Sequence, residues 1–311
     1  MRLLVTGGAG FIGSHVVDAL IARGDEVAVL DNLATGYADN VDARAKLIVG
    51  DVSDPDTVAD AVDGAEAVLH LAAARAVLRS VQQPLATDRV NTAGTLTVLE
   101  AARQAGVRRV VCTSSSSVYG GAAVTPTPES APLLPRSPYA VSKMAGEHYA
   151  RVYWELHSLE TVCIRPFNVF GPRQRPDSQY AAVIPLFISA LRAGSPPEVH
   201  GDGTQTRDFT YIDNVVAGYL AAVEAPAEKC AGRVYNLAAG EEHTLLDMLA
   251  DLEKILGTRI PPVHVDSRAG DVRRSCADYS AARADLGWEP HVGFGEGLAR
   301  TVAWFVERDS R

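Results

Sequence analysis

Tyr139 and Lys143 stand four residues apart in Tyr139-Ala140-Val141-Ser142-Lys143, directly after Pro138. On a helix beginning near that proline, a phenol and an ammonium at i and i+4 project from one face. A tyrosine with an ordinary pKa near ~10 is a poor base at neutral pH. An adjacent ammonium stabilises the phenolate and so makes proton abstraction accessible. The spacing by itself is common on exposed helices, but a second group gives it context. Thr113-Ser114-Ser115-Ser116-Ser117-Val118-Tyr119-Gly120 ends the apolar run at 110–113. Ligands of open α/β sheets bind at the carboxyl ends of strands, where a serine can share a hydrogen bond with a substrate hydroxyl and the tyrosine. Some of these serines can equally serve only to cap the turn.

Near the N-terminus, Val5-Thr6-Gly7-Gly8-Ala9-Gly10-Phe11-Ile12-Gly13-Ser14-His15 follows a strand-like run and opens a helical one. Glycines there permit a tight turn, a close backbone approach to a pyrophosphate, and close packing of helix on strand. The helix N-terminus adds free N–H groups and the positive end of a dipole. The next strand-like run ends at Asp31, 18 residues beyond Gly13, where a carboxylate can bind both ribose hydroxyls and repel a 2′-phosphate. NAD is therefore expected rather than NADP, held by Gly7, Gly10, Phe11, Ile12, Gly13, Asp31 and Asn32. Asp51 and Val52 are placed for the adenine, and Leu71, Ala72 and Ala73 lie beside the pyrophosphate. A bound nicotinamide cation would add to the stabilisation of the Tyr139 phenolate, so Tyr139 and Lys143 belong to the cofactor set as well.

Positioning these groups requires a sheet, and the pattern supplies one. Apolar runs at 3–6, 26–31, 46–49, 67–71, 110–113 and 161–165 alternate with helical segments such as 10–22, 86–105 and 138–157. Near-continuous apolar strands alternating with helices point to an α/β fold, a doubly wound parallel sheet of Rossmann type. After residue 165, loops rich in Pro, Gly, Arg and Asp separate shorter helices, the expected setting for binding groups. The 311 residues suit one large domain or two joined across a cleft, and 47% apolar residues exclude a disordered chain. With 29 basic against 38 acidic side chains and a formal charge of −9, neither a nucleic acid nor an anionic membrane surface is an expected partner. No apolar stretch approaches the roughly 20 residues of a membrane span. The chain reads as soluble and cytoplasmic. Cys112, Cys163, Cys230 and Cys276 form no CxxC pair, which fits buried thiols in a reducing compartment, and no metal site is expected.

The segments TGGAGFIGSH, DNLATG, GDVSD, HLAA, TSSSSVYGG, YAVSK, RPFNVFGPRQ, RDFTYIDNV and RAGDVRRSCAD…LGW resemble the extended short-chain dehydrogenase/reductase family, specifically its nucleotide-sugar epimerases, from residue 2 to about 288. The resemblance implies a Rossmann unit at 1–165 with about 208–238, and a smaller mixed α/β unit at about 166–207 and 239–311 that binds a UDP-sugar. It implies tightly held NAD, Ser115, Tyr139 and Lys143 as catalytic residues, and transient oxidation at carbon 4 of the sugar. It also places Asn168, Arg207 and Arg268 on the diphosphate, with Asp271 beside them, and Ser114, Ser115 and Ser116 around the sugar. A homodimer through helices such as 86–105 and 138–157 is implied too; the same faces could be internal core.

Within that family, dehydratases carry an acidic pair where this chain has Ser116 and Ser117. An epimerase is therefore expected rather than an elimination enzyme or a UDP-glucuronate decarboxylase. A non-catalytic NAD(H)-binding regulator would be expected to lose the tyrosine or lysine. At Gly171-Pro172-Arg173-Gln174-Arg175-Pro176-Asp177 the chain is similar to epimerases of UDP-glucuronate, whose Arg175 equivalent would meet a carbon-6 carboxylate. Interconversion of UDP-glucuronate and UDP-galacturonate is thus expected, with UDP-glucose or UDP-N-acetylglucosamine as the alternative. Ser275 leaves room for a substituted sugar, and Arg75 lies where it can approach the pyrophosphate or the sugar.

Overall fold

Every strand run read from the sequence appears in the computed structural model, which describes residues 1–75, 77–122, 124–175, 182–267 and 272–308. β1 (Arg2–Thr6), β2 (Glu26–Asp31), β3 (Lys46–Val49), β4 (Ala67–His70), β5 (Arg109–Thr113) and β6 (Glu160–Pro166) join a later strand, Arg233–Leu237, in one seven-stranded sheet. All neighbouring pairs are parallel, and the order across the sheet is Arg233–Leu237, β6, β5, β4, β1, β2, β3. The order reverses between β1 and β4. That switch point opens a crevice at the carboxyl edge of the sheet, the usual ligand site of such folds.

The strands are apolar on both faces because both faces are covered. Leu3, Val5, Val29, Leu69, Val111 and Ile164 pack under α1 (Phe11–Ala22) and the helix Ile212–Glu224. Leu4, Leu30, Val68, Val110, Cys112 and Cys163 face the opposite layer. That layer contains α2 (Pro55–Val62), α3 (Val77–Gln82), α4 (Pro84–Asp88), α5 (Gly94–Gln104) and α6 (Pro138–His157). All four cysteines are free and buried. Among the described residues no helix is long and apolar enough to cross a membrane.

Two helices bear directly on the site. α6 spans the expected residues because Ser137 accepts the Ala140 N–H as N-cap and Pro138 occupies the first turn. The helix expected at 86–105 is instead interrupted: α4 and α5 flank a π-helical turn at Arg89–Ala93. The turn carries Asn91, whose amide accepts the Ala74 N–H at 2.7 Å and donates to the Ala74 carbonyl at 3.2 Å and to Ser142 Oγ at 3.0 Å. A single inserted residue aims that amide between the β4 loop and α6, a use to which π turns are often put near functional sites.

At the end of β4, buried His70 is hydrogen-bonded to Thr6 Oγ1 at 2.8 Å and Thr95 Oγ1 at 3.0 Å. The Thr95 hydroxyl proton goes to the Asn91 carbonyl at 2.5 Å, so ring Nε2 must donate to Thr95 and Nδ1 accept from Thr6. Burial, helped by the Lys143 charge, pushes the imidazole down from 6.5 to about 3. The unfolded chain therefore takes up a proton below pH 6.5 that the folded chain refuses. Stability is full above 6.5 and falls towards pH 3, with a slope up to about 1.4 kcal/mol per pH unit from this group. Denaturant unfolding across that range should show the slope in the wild type and its absence in His70→Gln.

Candidate active site

The crevice at the switch point has a volume of about 200 Å³ and is lined by Gly7, Gly10, Phe11, Ile12, Gly13, Asp31, Asn32, Val52, Leu71, Ala72 and Ala73. Its floor is a place where two backbones nearly touch. A Cβ on Gly7, which has φ +73°, would lie 2.6 Å from Ala72 N, and one on Gly13 would collide with the Gly7 carbonyl oxygen. α1 begins at Gly10 without a side-chain cap, so its first N–H groups are left for an anion.

Asp31, 8% exposed, accepts the Ala9 N–H on one carboxylate oxygen at 3.0 Å and the Leu33 N–H on the other at 2.8 Å. Each oxygen keeps a second lone pair for a ribose hydroxyl. Asn32 donates to Asp51 at 2.9 Å, so Asp51 braces Asn32 from behind rather than lining the crevice. A bare helix N-terminus and a backbone with no room for Cβ suit a diphosphate, and the crevice-lining carboxylate of Asp31 suits the hydroxyls of a sugar beside it.

On α6, buried Tyr139 has Ser115 and Arg75 as the polar neighbours that act on it. The Ser115 Oγ accepts the Ser117 N–H at 3.2 Å and the Ser117 hydroxyl at 2.9 Å, so its own proton is still there to donate. Burial raises the Tyr139 pKa, and the nearby Ser115 hydroxyl and the charge of Arg75 oppose that rise. Lys143, 6% exposed, donates to the Thr113 carbonyl at 2.8 Å, and burial lowers it to about 8. It stays mostly charged at neutral pH.

A larger cavity of about 490 Å³ adjoins the site, lined among others by Asn168, Gln174, Gln205, Arg207 and Phe209. Asn168, at φ +28°, donates to the Asp208 carbonyl at 2.9 Å. Arg207 donates to the Thr206 carbonyl at 2.7 Å. Asp208 is the hub behind them. Its buried carboxylate accepts the N–H groups of Ala239, Gly240 and Ala277 at 2.8, 3.0 and 3.1 Å. Burial nevertheless lifts it to about 6.

Other expected site residues fall elsewhere. Ser114 is buried and donates to Glu147. Ser116 sits in the short 3-10 turn Ser116–Tyr119, and Ser275 is half-buried. Arg175 lines the cofactor crevice rather than the larger cavity. Its guanidinium donates to the Thr35 carbonyl at 3.3 Å and lies 4.6 Å over the Tyr37 ring. Two anchors set that loop: His15 Nε2 donates to the Pro172 carbonyl at 3.0 Å, and Arg173 pairs with Asp18 at 2.7 Å. Arg268 and Asp271 lie outside the described residues.

Residues 3–238 match the family described as the NAD dependent epimerase/dehydratase family. The chain belongs to that family. Its cofactor is NAD, and the fit of the crevice accords with it. The chain is 41% identical over 312 residues to the UDP-glucose 4-epimerase of Mycolicibacterium smegmatis, covering 98% of each protein. The UDP-glucose 4-epimerase of Thermotoga maritima, crystallised with UDP-glucose, superimposes with a TM-score of 0.95 at 36% identity over 99% of both chains. The UDP-N-acetylglucosamine 4-epimerase of Methanobrevibacter ruminantium, in complex with UDP-N-acetylmuramic acid, gives 0.93 at 37% identity over 99% of this chain and 98% of that one.

Sequence reading passed over Glu147, Arg165, Asp208, His70 and Asn91. The available signal was a polar residue where an apolar pattern calls for an apolar one, as with Arg165 at the end of its strand. For the family's cofactor, Gly13→Ala should push the turn away from α1 and lose bound NAD, because its methyl group would meet the Gly7 carbonyl; circular dichroism shows whether the variant is folded. Absorbance of released cofactor per protomer checks this; full NAD content in the variant would overturn it.

Proposed function

We propose that the chain is a UDP-sugar 4-epimerase. The observation that carries this reading is the placement of Ser115 beside Tyr139, with Lys143 one helical turn on and bonded to the carbonyl of Thr113, a residue that lines the cofactor crevice. The absence of carboxylates at Ser116 and Ser117 favours epimerisation over elimination. The division into a sheet unit and a substrate unit belongs to the same proposal. It is supported by the return of Arg233–Leu237 to the sheet and by helix Ile212–Glu224 packing beside α1.

Tyr139 as phenolate takes the proton of the sugar's 4-hydroxyl, and Ser115 holds that hydroxyl and relays the charge. NAD supplies the chemistry of hydride removal and return at carbon 4. Lys143 and the Ser115 proton offset the cost of an anionic Tyr139 in a desolvated site. After the 4-keto sugar turns over in the cavity, Tyr139 gives the proton back on the opposite stereochemistry, and no net oxidation results. Asn168 and Arg207 are proposed to face the diphosphate, the arginine as a charged planar donor.

For the sugar itself we propose a UDP-hexuronate, the UDP-glucuronate/UDP-galacturonate pair. Desolvation and then the charge of Arg175 lower Arg75, whose own charge is felt by Tyr139. Arg75 and Arg175 both line the cofactor crevice, and Arg75 acts on the proposed base, a corner suited to a carbon-6 carboxylate. A neutral UDP-hexose is the second reading, favoured by the position of Arg175 over Tyr37 and away from the larger cavity.

We also propose a homodimer. Val141, Val152 and Leu156 fall on one face of α6, with Leu156 72% exposed, and Val81 on α3 and Leu85 on α4 add an apolar surface, Leu85 being 86% exposed. Leu85→Arg with Leu156→Arg should sediment as a monomer; a wild-type protein that is itself monomeric would sink the assignment.

Tyr139→Phe should retain NAD and lose turnover by at least roughly a hundredfold. NMR of products from UDP-glucose, UDP-N-acetylglucosamine and UDP-glucuronate should show Arg175→Ala losing about tenfold or more on the uronate alone, the scale of one charged contact. Equal loss on all three sugars would overturn the hexuronate reading while leaving the epimerase reading intact.

A further inference from the structure

α6 carries a third ionisable group in register with the proposed pair. Tyr139, Lys143 and Glu147 recur at intervals of four residues, and both Lys143 and Glu147 are buried. Glu147 is held on every side that the structure describes. The Ser114 hydroxyl donates to its Oε1. Arg165 Nε donates to the same oxygen at 2.7 Å, and Arg165 Nη2 to Oε2 at 2.6 Å, a two-pronged ion pair. Arg165 in turn donates through Nη1 to Tyr119 Oη at 2.6 Å and to the Glu129 carbonyl at 3.2 Å, and its guanidinium lies 4.7 Å from the centre of the Tyr119 ring. One carboxylate therefore clamps α6, the carboxyl end of β5 and β6. The residue it grips just past β5, Ser114, is the immediate neighbour of Ser115.

We propose that Glu147 is a positioning residue for the reaction: through Ser114 and Arg165 it holds Ser115 against Tyr139, and its charge supports the Lys143 ammonium one turn away. The inference rests on the assignment of Tyr139 and Lys143 above. A packing role alone would not call for an ion pair here, because an apolar pair of similar volume serves stability as well or better. The groups facing Lys143 are the Thr113 carbonyl and Cys112 from β5, Cys163 from β6, His70 from β4, and Glu147 from α6. His70 is neutral at working pH, and the Cys112 hydrogen bond and burial push the Cys163 thiol up. Glu147 is the carboxylate of this set, and its ion pair with Arg165 takes up part of its field.

Glu147→Gln keeps the shape and an acceptor for Ser114 but removes the charge. The expected result in the NAD-loaded enzyme is a kcat lower by roughly tenfold or more, with KM within about twofold because no sugar contact is touched. The alkaline limb of the kcat profile should move to lower pH by about one unit, since Lys143 loses its proton more easily without the neighbouring anion. Glu147→Asp restores the charge with a shorter reach, so its alkaline limb should return to the wild-type position while kcat stays reduced. If Glu147→Gln fails to fold, Glu147→Gln with Arg165→Gln removes the stranded cation as well, and the same limb is read. An unmoved limb together with an unchanged kcat in a folded glutamine variant overturns the inference. An active Tyr139→Phe enzyme would instead overturn the catalytic assignment, so the two failures are told apart.

Discussion

Everything at the reaction centre depends on how closely the glycine turn after β1 lies against the first residues after β4. Gly7 and Ala72 meet at a separation no Cβ could share, and Gly13 seats α1 directly on the Gly7 carbonyl. That closeness keeps the crevice narrow, aims the uncapped end of α1 into it, and brings Leu71 to Ala73 alongside. His70 and Thr6 reinforce it from below, since the Ala72 N–H also donates to the Thr6 hydroxyl at 3.2 Å. A polar, fully bonded seam at the switch point is costly to leave incomplete, so the two strands are held at one spacing.

A second tier of buried polar groups connects this seam to the proposed base. Asn91 ties the loop after β4 to Ser142, which sits between Tyr139 and Lys143. Glu147 and Arg165 tie the far side of the same helix to β5 and β6. Two independent clamps on α6 limit its motion relative to the sheet, and the sheet edge carries Ser115. Burying an ion pair and a lysine so close together is not the cheapest way to fill space. Its effect is to fix directions and charges where a phenol must become an anion.

The glycine turn, Asp31 and the Tyr139–Lys143 pair were legible in the sequence because each works through local spacing. A turn, a strand end and a helical repeat are all short-range geometry. α6 was legible for the same reason: Ser137 and Pro138 mark its start within two residues. The interrupted helix at 86–105 was not, because the π turn answers to Asn91 and its partners Ala74 and Ser142, which are 17 and 51 residues away. Ser114 reads like its neighbours in a run of serines, and only the fold turns it inward to Glu147 while Ser115 turns towards Tyr139.

Arg175 shows the same division from the other side. Its charge and its place in the Gly171-Pro172-Arg173-Gln174-Arg175 loop were plain in the sequence. Its direction was set by His15 and Asp18, more than 150 residues earlier, which anchor the loop to α1 and lay the guanidinium over Tyr37. By itself the sequence determined the alternation of strands and helices, the dinucleotide turn and the identity of the chemical groups, because these follow from backbone rules over a few residues. The tertiary structure alone decided which polar groups share a buried space and therefore which way each side chain points, because hydrogen bonds and ion pairs shielded from water are set by distance in space and not by distance along the chain.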